Sequence, residues 1–159
     1  MHRRPYVRSA GLGLVGLVLV GLAVVGGWLV LRDRPVQVRP AVSAADPACA
    51  TLAGSLPPTV AAQPRRATSS DSPGVAAWGD PAVIWLCGVL PPGPSTDCLE
   101  VNGVDWVVER LDDGTAFTTF GRDPAVQVLV PRAYAPEPLR LPALSAVVAT
   151  LPQGRRRCT

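Results

Sequence analysis

Twenty-two consecutive residues without a charge, Ala10 to Leu31, constrain this chain more than anything else in it. As a helix rising about 1.5 Å per residue, the run would span about 33 Å, enough for a hydrocarbon core of about 30 Å. Its seven Leu and six Val each favour insertion by roughly 0.3–0.6 kcal/mol, and its six Gly weaken that sum without reversing it. Trp28 stands near the outer end, where an indole ring favours the headgroups. A cleavable signal peptide has a shorter apolar stretch, about 7–15 residues, followed closely by small residues. Here Arg32-Asp33-Arg34 closes the run, and Ala41 to Ala45 come too late. The expectation is an uncleaved signal-anchor: a basic cytoplasmic segment 1–9, a transmembrane span 10–31, a linker 32–45 kept extended by Pro35 and Pro40, and one extracytoplasmic domain 46–159. Charge orients the span only weakly. The four cysteines, all in 46–159, decide for the outside, because disulfides persist only beyond a reducing cytosol.

The net charge of +3 is a poor guide to partners, because Arg3, Arg4, Arg8, Arg32, Arg34 and Arg39 flank the apolar run. From Asp46 onward nine arginines face eleven acids. A nucleic-acid binder would carry a basic face on the domain itself, so that class is excluded. The membrane is the expected contact.

Asp46-Pro47 reads as a helix start, with Asp at the N-cap and Pro at the first helical position. The helix is expected to run to about Ser55, with Cys49 and Leu52 on one face. Thr59 to Thr68 is expected as a first strand. Ala82 to Leu90 is nearly all apolar and is expected as a central strand buried on both faces. Asp112-Asp113-Gly114 between Val104–Leu111 and Thr115–Phe120 signals a hairpin. Ala125 to Val130 alternates, and Pro142 to Leu151 carries Leu144, Val147, Val148 and Leu151 on one helical stripe. No internal repeat is evident. The expected fold is α+β: an N-terminal transmembrane helix followed by a small two-layer domain. That domain is a mostly antiparallel sheet of four or five strands flanked by an N-terminal and a C-terminal helix.

Cys49, Cys87, Cys98 and Cys158 allow three pairings. Cys87 and Cys98 bracket a proline-glycine loop and are expected to meet locally, leaving Cys49 for Cys158. A zinc site would want paired close spacings, which are absent.

Several strings then combine: Ala77-Trp78-Gly79-Asp80-Pro81-Ala82, Cys87-Gly88-Val89, Val101-Asn102-Gly103-Val104-Asp105-Trp106 and Phe120-Gly121-Arg122-Asp123-Pro124-Ala125. Together they resemble the actinobacterial envelope proteins grouped as "domain of unknown function 3515", over about Asp46 to the C-terminus. Leu86 departs from the arginine that members often carry before the Cys-Gly pair. The resemblance implies an anchored or secreted envelope location and no assigned activity.

The only histidine is His2, and there is no lysine, so the outer domain lacks Ser-His, Cys-His and Ser-Lys nucleophile pairs. Only carboxylates remain for acid–base work. Asp80, Asp105 and Asp123 lie in turn-rich strings beside Trp78, Trp106 and Arg122. Asp80-Pro81 and Asp123-Pro124 read as turns, and Trp78, Trp85 and Trp106 as core. As a ligand surface the candidates are Trp78, Asp80, Asp105, Trp106 and Arg122. The expected function is a non-enzymatic binding or assembly module of the cell envelope, without cofactor or catalytic metal, meeting an envelope protein or cell-wall component. The alternative is a carboxylate-dependent hydrolase of cell-wall glycans, which would need two carboxylates about 5–9.5 Å apart.

Overall fold

The Asp46 carboxylate accepts a hydrogen bond from Ala48 N at 2.7 Å and so caps helix α1, Pro47–Ser55, with Pro47 at its start. The computed structural model that shows this describes residue 21 and residues 34–158, apart from 96 and 156. Helix α1 leads into eight strands: β1 Thr59–Val60, β2 Gln63–Arg66, β3 Val75–Trp78, β4 Val83–Val89, β5 Cys98–Val101, β6 Val104–Arg110, β7 Gly114–Thr119 and β8 Ala125–Pro131. Two 3-10 turns, Arg132–Tyr134 and Glu137–Arg140, and helix α2, Pro142–Val148, follow. All eight strands join one sheet in the order β1-β2-β3-β4-β8-β7-β6-β5, and every neighbouring pair is antiparallel.

This corrects the expected architecture. The sheet has eight strands, not four or five, because short elements were hidden in the sequence. Ala61-Ala62 breaks the expected first strand into β1 and β2, and β3 and β5 are four-residue strands without a distinctive pattern. Among the described residues no helix is long and apolar enough to cross a membrane; apart from residue 21, the stretch 10–31 expected to do so lies outside them, as does 1–9. Residues 34–45, the described part of the expected linker, turn at 42–45 and are tied to the sheet. Val36 bridges Thr68, Ser43 N donates to Gly88 O at 3.0 Å, and Ala44 is buried.

Alternation sorts the sheet into two faces. One presents Ala76, Trp78, Val83, Trp85, Cys87, Trp106, Phe117, Val126, Val128 and Val130 to Leu52 of α1 and to Leu144, Val147 and Val148 of α2. Three fully buried tryptophans dominate that core. Each removes on the order of 200 Å² from water, an upper bound of about 5 kcal/mol apiece. Along β4 the opposite face is half-exposed at Ile84 and Leu86, so β4 is central but not buried on both faces as expected.

The eight strands form two equivalent meanders. β1-β2-β3-β4 and β5-β6-β7-β8 meet where β4 pairs with β8. The correspondence reaches the turns. Ala61-Ala62 and Asn102-Gly103 join the first two strands of each meander, and all four residues have positive φ (54°, 60°, 50° and 76°), as two-residue hairpins require. Trp78-Gly79-Asp80-Pro81 and Phe120-Gly121-Arg122-Asp123-Pro124 join the last two strands. Each has a positive-φ glycine and a cis Asp-Pro bond, and the second is one residue longer, by Arg122. The repeat missing from the sequence is thus present in topology.

The disulfides are Cys49–Cys87 and Cys98–Cys158, with Cα separations of 5.6 and 5.7 Å. The expected pairing, Cys87–Cys98 and Cys49–Cys158, is overturned. Cys87 lies on β4 and Cys98 on β5, four strand positions away across the sheet. At about 4.8 Å per step that is roughly 19 Å, well beyond the reach of a disulfide. Each bond is confined to one meander: the first ties α1 to β4, the second ties the C-terminal segment to β5.

Candidate functional site

Strand alternation sends the neighbours Asp105 and Trp106 to opposite faces of β6. Trp106 enters the core with no exposed surface, and its indole N–H donates to Ser145 Oγ on α2 at 3.1 Å. Trp78 is likewise fully buried. It donates to Pro57 O at 3.0 Å and carries the Arg65 guanidinium 5.6 Å from its ring centroid. Neither ring can form the floor of a surface groove.

Asp105 faces the other way and is 6% exposed. Its carboxylate accepts from Cys158 N at 3.3 Å and pairs with Arg157 at 3.8 Å. Arg122, the extra residue of the second Asp-Pro turn, turns inward rather than out and is also 6% exposed. Its guanidinium donates to the carbonyls of Leu151 and, at 3.3 Å, Gly103. Burial pulls the Arg122 pKa below its ordinary value, the nearby Arg157 charge pulls it further the same way, and Asp105 opposes both.

The segment after α2 passes over this pair. Leu151 is buried and gives its carbonyl to Arg122, Gly154 N donates to Gly121 O at 2.7 Å, and Gln153 Nε2 donates to Phe120 O at 3.3 Å. Cys158 then bonds to Cys98 on β5. The result is a strap across one end of the sheet, held by backbone contacts, an arginine clasp, an ion pair and a disulfide.

Of the five expected surface residues, the structure therefore joins two, Asp105 and Arg122. Asp80 is exposed, with its carboxylate 4.0 Å from Arg66. Asp80 and Asp123 occupy the β3–β4 and β7–β8 turns, which lie at opposite ends of the β4–β8 pair, since Ile84 faces Leu129 and Val89 faces Ala125. Five residues of strand separate those two levels, about 17 Å. This is outside the spacing of glycosidase carboxylates, and Asp105 is already engaged by the strap.

Three features escaped the sequence reading. Ser145 gave no signal, and Arg157, within the run Arg155-Arg156-Arg157, reads in sequence as part of a solvated tail, because both roles depend on segments distant in sequence. Alternation around Trp106 does place Asp105 on the far face, but not what covers it. A cleft of about 460 Å³, lined by Asp97, Cys98, Val108, Glu109 and Arg110, opens beside the second disulfide. A smaller one of about 140 Å³ lies among Ala82, Ile84, Leu111, Gly114, Leu129 and Pro131. The first is large enough for a small ligand or an inserted loop and the second is not.

No curated protein and no solved structure matches the chain. Residues 10–155 match the family described as "Protein of unknown function (DUF3515)", a match that spans most of the chain and includes both meanders and the Arg122 turn. The chain belongs to that family.

Proposed function

We propose that the chain is a non-enzymatic binding or assembly module of an actinobacterial cell envelope. In this reading it is tethered to a membrane by its apolar run 10–31 and carries its sheet domain on the outer side. The observation that carries the reading is the pair of disulfides, one in each meander, which need an oxidising space to form and persist. Two further observations support it. The candidate carboxylates are scattered or engaged rather than convergent. The half-exposed row of Ile84, Leu86 and Leu129, opposite the helix-covered face, offers apolar surface that no described segment needs for its own core.

Placement is tested on intact cells with a membrane-impermeant label directed at residues 46–159. Labelling without lysis is expected; labelling only after lysis overturns the reading. The binding role is tested by photocrosslinking from single sites at Leu86 and Leu129, with exposed Pro91 as the control. A discrete partner crosslinked from the first two and not from the third is expected. Uniform crosslinking from all three, or from none, removes the binding role.

A further inference from the structure

The two disulfides differ in access. Cys49 and Cys87 are both fully buried, whereas Cys98 and Cys158 are each half-exposed, and Cys98 lines the cleft of about 460 Å³ with Asp97, Val108, Glu109 and Arg110. Exchange requires an attacking thiolate in line with a sulfur, so access selects the bond that reacts. Cys49–Cys87 can be reached only through unfolding of the core, which holds its open fraction down by on the order of 10³-fold or more. Cys98–Cys158 can be reached from the folded state.

Cys158 is also where the strap ends. The strap residues Leu151, Gly154, Arg157 and Cys158 are its points of attachment, and beneath them lie two charged groups that are each 94% buried by their 6% exposure, Asp105 and Arg122. A covalent bond at the far end of a segment that covers buried charge, opened from a neighbouring cleft, is a latch.

We propose that Cys98–Cys158 is a thiol–disulfide exchange site for an extracytoplasmic dithiol protein, and that its opening releases the C-terminal strap from Asp105. The cleft admits the attacking thiolate to Cys98 Sγ. A mixed disulfide forms there, and Cys158 leaves as a thiolate that takes up a proton. The second thiol of the partner then attacks its own sulfur in the mixed disulfide, which releases Cys98. The partner dithiol is oxidised to a disulfide, Cys98–Cys158 is reduced to two thiols, and two electrons and two protons pass between them. The site rests on the outer placement argued above. Its chemistry is read on the purified full chain, so it stands or falls apart from any captured partner.

The test uses full-length protein in detergent, titrated with dithiothreitol and pulsed with an alkylating reagent. Alkylation of Cys98 and Cys158 is expected on the order of 10³-fold faster than that of Cys49 and Cys87, with faster amide exchange at Gly154 and Cys158 and an unchanged core. A thioredoxin-fold dithiol protein whose second cysteine is replaced by serine should be trapped on Cys98. Co-reduction of both bonds, reduction without faster exchange in the strap, or trapping on any other cysteine or on none overturns the proposal. The double variant Cys98→Ser/Cys158→Ser should reproduce the released strap without reductant. Should it fail to fold, the wild-type titration alone decides.

Discussion

Arg122 holds Leu151 by its carbonyl, although the two are 29 residues apart and neither lies in a regular element. The Arg122 clasp exists because the second Asp-Pro turn is one residue longer than the first. In the β3–β4 turn Gly79 is followed at once by Asp80-Pro81; in the β7–β8 turn the added arginine finds two backbone acceptors instead of solvent.

Replacing Arg122 with Met should loosen the strap locally. It leaves the buried carbonyl of Leu151 without its donor, a cost of about 1–3 kcal/mol, partly returned because a buried charge is removed; the carbonyl of exposed Gly103 can turn to water. Amide exchange at Gly154 should speed up about tenfold while core amides hold. The difference from wild type should not vary with pH near neutrality. A cation whose folded pKa is depressed costs stability at every pH below that value, and the cost eases only as pH rises through it. Arginine remains charged throughout the neutral range. A wild-type-minus-variant stability that changed between about pH 6 and about pH 9 would contradict this.

Ser145→Ala should destabilise the domain by about 1–3 kcal/mol, because the fully buried Trp106 indole loses its acceptor on α2. Calorimetry should record a Tm lower by roughly 3–6 °C per kcal/mol for a domain of this size.

Exchanging Ala61-Ala62 for Asn-Gly should stabilise. Both alanines sit at positive φ, 54° and 60°, where a Cβ costs roughly 1–2 kcal/mol per residue. The equivalent turn of the other meander already carries Asn102-Gly103, the pair such hairpins prefer. A rise in denaturation midpoint worth about 1 kcal/mol is expected, with unchanged m-value.

Gly88→Ala should be among the most damaging single changes. At φ 84° in the bulge between Cys87 and Val89, an added Cβ would meet the Ser43 carbonyl group, so the 43–44 segment must lift from the sheet. A loss above about 2 kcal/mol is expected, from left-handed strain together with the steric conflict. A wild-type melting curve for this variant would show that the segment packs elsewhere.

Legibility followed the range of the contacts. The Asp46 cap, the Asp112-Asp113-Gly114 hairpin and the burial of Trp106 depend on residues a few positions apart, and all three were readable. The cysteine pairing was not. Cys87 and Cys98 are close in sequence, but the β4–β8 pairing places three strands between them, and nothing local signals that crossover. β3 and β5 were hidden for a different reason: four residues are too few to display a period. Of the candidate site, Asp105 and Arg122 were singled out as charged residues of turn-rich strings. That they lie buried under a strap depends on the return of the chain after α2, which no pattern around either residue reveals.

Because each disulfide closes within its own meander, no covalent bridge spans the loop 90–97 apart from the backbone itself. A single proteolytic cut in Pro91-Pro92-Gly93-Pro94 would therefore turn the domain into a two-chain complex, its fragments held without a covalent link, chiefly by the β4–β8 seam and the shared core beneath it. Co-produced as separate polypeptides, the two pieces should find each other as a heterodimer and dissociate in denaturant without any reducing agent.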